Sequence, residues 1–218
     1  MNVYNRCVLP KLINFAMTRD EATRLRAMNI PAARGVVLEI GFGSGLNLPF
    51  YTGSVTHLYG VDTSAELLAI GREKIAGAAF PVDLFNCDAD RIPLPDASVD
   101  TVVVTWSLCS IANVEEALRD MRRVLKPGGS FIFVEHGLSP DPSVGKWQHR
   151  MTPFWRVFAG GCHLNRKIDD LVRAAGFSIE HLRTAYALGP RALAFMYEGR
   201  ARRTNSDERI TDAPPGVA

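Results

Sequence analysis

Cysteine is scarce in this chain and nowhere closely spaced. The four cysteines stand at positions 7, 87, 109 and 162. No Cys-x-x-Cys occurs, so the spacing encodes neither a disulfide framework nor a structural zinc knuckle, and a reducing, cytoplasmic setting is expected. Charge of one sign is also lacking. The 25 Lys and Arg against 23 Asp and Glu leave a net +2, too little to argue for nucleic acid or an acidic partner. Arg200, Arg202 and Arg203 cluster, but in a polar context that reads as a solvated end. Long apolar runs are missing as well. Val8, Leu9, Leu12, Ile13 and Ala16 share a helical face, but Pro10, Lys11 and Asn14 interrupt it. That falls short of the roughly 20 apolar residues a membrane span needs, and the layout is not that of a signal peptide. A short amphipathic helix over the domain edge is expected, with peripheral membrane contact left open.

What is present is an alternation of strand-like and helix-like segments. Thr18-Arg19-Asp20-Glu21 has capping-box form and predicts a second short helix ending before Pro31. Val36–Ile40 is a short apolar run ending in glycines, as a buried parallel strand would be. His57–Val61, Val82–Asn86, Val99–Thr105 and Ser130–Glu135 read as further strands. Ser64 and Asn113 are expected to cap intervening helices, the second running through Leu125 and stopped by Lys126-Pro127-Gly128-Gly129. Such a series implies a parallel sheet with helices on both faces. Beyond it, residues 143–159 read as a helix kinked at Pro153, and a shorter helix through Ile168 and Val172 stops at Gly176. Phe177–Tyr186 and Ala192–Tyr197 read as a strand pair around Gly189-Pro190. The resulting division is 1–34 as N-terminal helices covering the site, 35–198 as the main domain, and 199–218 as a disordered tail.

The chemistry begins at Glu39-Ile40-Gly41-Phe42-Gly43-Ser44-Gly45. A glycine loop directly after the first strand lets a ligand approach bare backbone. Gly41, Gly43 and Gly45 form G-x-G-x-G, whereas the dinucleotide fingerprint G-x-G-x-x-G wants glycine at Leu46. Asp62 ends the second strand, 21 residues after Gly41, where a carboxylate can accept hydrogen bonds from ribose hydroxyls. Asp88-Ala89 follows the third strand, where an acid and a backbone N–H can meet an adenine edge. Together these predict an adenosine-containing ligand.

Glu39–Gly45, Asp62, Asp88-Ala89 and Arg123-Val124-Leu125-Lys126-Pro127-Gly128-Gly129 resemble the ordered motifs of class I S-adenosylmethionine-dependent methyltransferases over roughly residues 35–135. The resemblance implies a Rossmann-like α/β fold with a seven-stranded sheet, mostly parallel with a C-terminal antiparallel hairpin. It implies S-adenosyl-L-methionine as cofactor, held by Glu39, Gly41, Gly43, Gly45, Asn47, Asp62, Thr63, Asp88, Ala89 and Thr105. A narrower similarity, through Val99–Thr105, Leu108-Cys109-Ser110, Phe131–His136 and Gly161-Cys162-His163-Leu164-Asn165-Arg166, is to the methyltransferase-like 7 branch. That branch includes membrane-attached alkyl thiol S-methyltransferases. It makes a small apolar thiol the favoured acceptor, with a lipid amine or quinone-like acceptor as the alternative. An NAD-dependent oxidoreductase and a non-catalytic cofactor-binding module stay open as other classes.

Methyl transfer from a sulfonium is an in-line displacement, so the protein mainly aligns the reactants and excludes water. Reacting groups in open α/β sheets lie beyond the carboxyl ends of the strands. This places Trp106 and Cys109 on the acceptor side and makes His136 the candidate proton acceptor, because imidazole titrates near neutrality. Cys109 reads as a small buried residue rather than a nucleophile. Trp147, Phe154, Trp155 and Phe158 lie at helical spacing within 143–166, a segment expected to act as a substrate lid. Trp147, Trp155 and His163 are its candidate acceptor contacts. His136, His149, Cys162 and His163 match no zinc spacing, and no metal is expected.

Overall fold

The apolar runs close into one seven-stranded sheet in the computed structural model, which describes residues 17–204. The strands are β1 (Gly35–Ile40), β2 (Val55–Asp62), β3 (Val82–Asn86), β4 (Val99–Thr105), β5 (Leu125–His136), β6 (Phe177–Tyr186) and β7 (Phe195–Arg203). Their spatial order is β3-β2-β1-β4-β5-β7-β6. The first five pair in parallel, and β7 runs antiparallel between β5 and β6. Helices α1 (Asp20–Asn29), α2 (Ala65–Ile75), α3 (Val114–Val124), α4 (Pro142–Phe158), α5 (Ile168–Ala174) and α6 (Arg191–Ala194) complete the chain. The expected helix over Val8–Ala16 lies outside the described residues, as does Cys7.

Side chains alternate across a strand, and two layers of core follow from that alone. Leu38, Ile40, Val102, Val104, Phe131 and Phe133 face α3 and α5 through Leu118, Met121, Ile168 and Val172. Their neighbours Val37, Val103 and Ile132 face the other way, against Leu68 of α2, Phe42 and Tyr51. Full burial of an aromatic such as Phe131 or Phe133 contributes about 1.5–3 kcal/mol. Val134 continues the second face and meets Leu25 of α1 and Met196 of β7. That contact brings α1 over the carboxyl end of the sheet.

Several local expectations change. Thr18 does not start a capping box: the N-cap is Arg19 without a side-chain capping bond, and Glu21 pairs with Arg24 instead. Ser64 caps α2, accepting from the Leu67 N–H at 3.2 Å. Asn113 sits at the N-cap of α3 but spends its amide on Asp90, 3.1 Å away. Helix α3 stops at Val124, and Lys126-Pro127-Gly128-Gly129 belongs to β5 as an irregularity. Val99 pairs with Leu125 and Thr101 already with Ser130, so the shift absorbs a proline that has no N–H to give.

The largest correction concerns the end of the domain. Arg191–Ala194 forms a helical turn, so the last strand begins at Phe195, not Ala192, and continues to Arg203. Residues 199–202, read from composition as disordered tail, lie in a central strand paired on both sides, and Arg203 pairs with β6. Ladder pairing overrides a polar composition when the polar side chains point outward: Arg202 reaches Glu180 at the surface. Arg203 donates to the Arg123 carbonyl at 3.2 Å. The arginines are therefore part of the fold rather than a solvated end.

Candidate active site

The glycine loop turns between β1 and the short 3-10 turn Leu48–Phe50. Gly41, Gly43 and Gly45 all have positive φ, which L side chains rarely adopt. At Gly41 space is short as well, since a Cβ would lie 1.8 Å from the Ser107 hydroxyl. The loop is latched to the next strand by Asp62, whose Oδ2 accepts from the Gly43 N–H and Oδ1 from the Ser64 N–H, each at 2.8 Å. Burial raises the Asp62 carboxyl above its ordinary range against the pull of these N–H groups. Each carboxylate oxygen has further lone pairs, enough for a pair of vicinal hydroxyls.

Under the loop lies a buried polar network. The Asn47 amide donates to Glu39 at 2.9 Å and to the Thr105 hydroxyl at 3.1 Å. Its carbonyl accepts from Arg26 Nε at 3.0 Å. The Tyr51 hydroxyl donates to the other Glu39 oxygen at 2.7 Å. Glu39 is 1% exposed, and burial pushes its carboxyl up to about 8 despite the hydrogen bonds from Tyr51 and Asn47. Burial likewise lowers Arg26. The Arg26 guanidinium sits 4.8 Å over the Trp106 ring, and Trp106 itself has φ of 49°, a strained backbone of the kind found at functional sites.

These residues fit S-adenosylmethionine. A bare-backbone cradle and Asp62 suit the nucleoside, while a buried arginine and a buried carboxyl suit the charged ends of an amino acid. Asp62 and the Asp88-Ala89 turn emerge from adjacent strand ends, Asp62 opposite Asn86 in register. Ala89 is buried, whereas Asp88 and Thr63 are exposed at the rim.

On the other side of the carboxyl edge, three loops are stitched together. Glu135 Oε1 accepts from the backbone N–H groups of Ser107 (2.7 Å) and Leu108 (3.0 Å). The His163 N–H donates to the Cys109 carbonyl at 2.7 Å, and Arg166 to the Leu108 carbonyl. This gathers Cys109, His136 and Cys162, whose ligand atoms all lie within 4.8 Å of one another. His136 Nε2 is 3.1 Å from Cys162 Sγ, and its Nδ1 is buried with no partner. Burial lowers His136, but the Cys162 contact outweighs it and leaves the imidazole raised. The Cys162 thiol is brought down by Cys109 and His136, while Cys109 is driven up by the same pairing and its burial. Burial brings Glu135 up to about 7.

The 143–166 segment divides. Trp155 lies at this cluster, its buried indole nitrogen directed at Cys162. Trp147 is 44% exposed on the outer face of α4. The helix is anchored by polar residues: Gln148, fully buried, accepts from the Ser139 N–H and donates to the Gly137 and Ala192 carbonyls. His163 lines a groove of about 560 Å³ against α3 and α5, away from the glycine loop. A smaller apolar pocket of about 170 Å³ opens beside Trp106, between α1 and the β6–β7 turn, with Leu25, Ala187, Leu193 and Met196 in its wall. Met196 is the register partner of His136. Arg26, Tyr51 and Met196 were missed from sequence. A lone arginine on a helix, an isolated tyrosine and a strand methionine carry no spacing signal, although Arg26 is the basic residue of its helix's last turn.

Residues 38–133 match the methyltransferase domain family. The chain is 31% identical to human "Thiol S-methyltransferase TMT1A" over 164 residues, 73% of this chain and 67% of that protein. It is 35% identical to "Phosphatidylethanolamine N-methyltransferase" of Cereibacter sphaeroides over 125 residues, 56% of this chain and 61% of the relative. The fold is that of a solved S-adenosylmethionine-dependent methyltransferase from Mesorhizobium loti, with a TM-score of 0.62, 20% identity, and coverage of 85% of this chain and 99% of that one. With G-x-G-x-G, Asp62 and the β7 hairpin all in place, the chain belongs to the class I S-adenosylmethionine-dependent methyltransferases, in the branch of the thiol S-methyltransferases.

Proposed function

We propose that the enzyme methylates a small, apolar thiol that enters beside Trp106. The observation that carries this reading is the register pair His136–Met196. Directly opposed residues project to the same face of a sheet, which sets the imidazole on the side where Met196 walls the apolar pocket. When bound, S-adenosylmethionine supplies an electrophilic methyl group. Arg26, Glu39 and Asn47 orient its amino-acid end, and Asp62 its ribose. Leu25, Trp106, Ala187, Leu193 and Met196 exclude water from the acceptor. A thiol gives up its proton near neutrality, and His136 accepts it through the unpartnered Nδ1, since Nε2 is committed to Cys162. Described cysteines that are all free suit a reducing compartment, the cytoplasm among them.

A lipid-amine acceptor is the second reading, supported by the Cereibacter relative's name and by the outer face of α4. There Trp147, Phe154, Val157 and Phe158 are exposed beside Lys146, Arg150 and Arg156. Such a face suits contact with an anionic membrane surface, although no helix among the described residues is long and apolar enough to cross a membrane. A labelled methyl-transfer screen over alkyl thiols, amines, phenols and phospholipids tests both. Turnover of alkyl thiols above the other classes is expected, and methylation of lipid amines with thiols inert would displace the thiol reading.

A further inference from the structure

We infer that Cys109, His136 and Cys162 form a binding site for one thiophilic divalent cation, zinc above all. Two sulfurs from separate loops and one imidazole nitrogen from the end of β5 converge within 4.8 Å. A tetrahedral zinc with Zn–S near 2.3 Å and Zn–N near 2.0–2.1 Å spaces its ligands roughly 3.5–3.8 Å apart. The His136–Cys162 contact of 3.1 Å needs to open by only about half an ångström to reach that spacing. Cys162 follows the paired glycines Gly160 and Gly161 in the turn after α4, whose backbone has the freedom such an adjustment asks for.

The donor set selects the ion. Two thiolates and an imidazole suit zinc and disfavour magnesium or calcium, which want oxygen. Charge agrees: two thiolates neutralise a divalent cation, so the occupied site carries no net charge into a buried position. Without an ion, His136 and Cys162 pair at 3.1 Å, and Cys109 shares a hydrogen bond with Cys162 while its sulfur lies 3.8 Å from the Trp106 carbonyl. These contacts link the three groups in pairs, whereas a single ion would bridge all of them at once. Lys and Arg compete weakly here: Arg166 faces the cluster but spends its guanidinium on the Leu108 carbonyl.

Three protein ligands leave the fourth position of a tetrahedron to an outside donor, as in catalytic rather than structural zinc sites. The functional consequence, though not the site, rests on the thiol reading above. A neutral thiol that takes that position loses its S–H bond, forms a sulfur–metal bond and releases the proton to water, with no change in oxidation state. The acceptor would then be held as a thiolate without any base. In the ion-free protein His136 is the proton acceptor, and with the ion its Nε2 is a ligand.

The test is a Co²⁺ titration of the full chain, reduced and stripped with chelator, followed by competition with Zn²⁺. One equivalent of Co²⁺ should give intense tetrahedral d–d bands and a sulfur-to-cobalt charge-transfer band, abolished by Zn²⁺. Cys109→Ser and Cys162→Ser should each weaken binding at least tenfold while S-adenosylhomocysteine binding persists. If neither variant folds, the wild-type spectrum decides alone. A weak octahedral spectrum, or binding unchanged in the double variant, overturns the site. Metal bound without thiol methylation removes the acceptor reading and leaves the site standing. Thiol methylation by protein that takes up no metal does the reverse.

Discussion

The Gly43 N–H donates to Asp62 Oδ2 across 2.8 Å, joining the glycine loop of β1 to the end of β2. A single carboxylate thus shapes the loop, and in the proposed site its remaining lone pairs take the ribose. Asp62→Ala should weaken S-adenosylhomocysteine binding by about 1–3 kcal/mol, the cost of leaving hydrogen-bonding groups unpaired. Calorimetry measures it, and unchanged affinity would remove Asp62 from the site.

Arg26 is expected to act on the amino-acid end of the cofactor alone. It is 5% exposed and held by Asn47 and the Met17 carbonyl. Arg26→Gln should weaken S-adenosylhomocysteine at least tenfold, in the range of about 1.5–3 kcal/mol for a charged hydrogen bond. Binding of methylthioadenosine, which has no amino-acid tail, should change little. Equal losses for both ligands would mean that Arg26 only supports the fold.

Glu39 links stability to pH. Its folded value, raised to about 8 by burial, lies above the ordinary carboxylate range of the unfolded chain. The folded form therefore binds the proton more tightly. Its stabilisation is fully present below about pH 4.5 and is lost as pH rises through about 8. Glu39→Gln keeps a hydrogen-bonding group that cannot ionise. The melting temperature of the variant relative to wild type should rise between pH 5 and pH 8.5 in the absence of cofactor. A difference that does not vary with pH contradicts the buried-proton account.

His136→Ala should lower turnover with thiol acceptors by about 10²–10⁴, the usual contribution of a positioned acid or base, while S-adenosylhomocysteine affinity is retained. The pH profile of kcat should lose its acidic limb, because the limb reports the imidazole. Unaltered turnover would take the proton-acceptor role from His136.

The strand series, the glycine loop and the acids behind it were legible because each depends on neighbours a few residues away. Val99–Thr105 matches β4 residue for residue, and Ser64 caps as expected. Errors fell where local preference met a sheet. Arg200 and Arg202 looked solvated, yet β5 and β6 supply partners on both sides of their backbone. Lys126–Gly129 follows the end of α3 at Val124, as a helix stop should, yet it lies inside β5 and not in a turn. The aromatic stripe of α4 read as a substrate lid, yet Gln148 and Thr152 are the buried side chains while Trp147, Phe154 and Phe158 are exposed. Hydrogen bonds to the loops, invisible to hydrophobic periodicity, turned that helix.

By itself, then, the sequence determined the first strand, its glycine turn and the next strand's terminal acid, since these lie in one contiguous crossover. Tertiary structure alone decided the rest. Arg26 meets Asn47 from a helix that precedes the sheet, and Cys109, His136 and Cys162 meet from two loops and a strand end more than 20 residues apart. The physical reason is the folding of parallel strands: all their carboxyl ends converge at one edge, so side chains far apart in the chain become neighbours there without any spacing pattern to announce them.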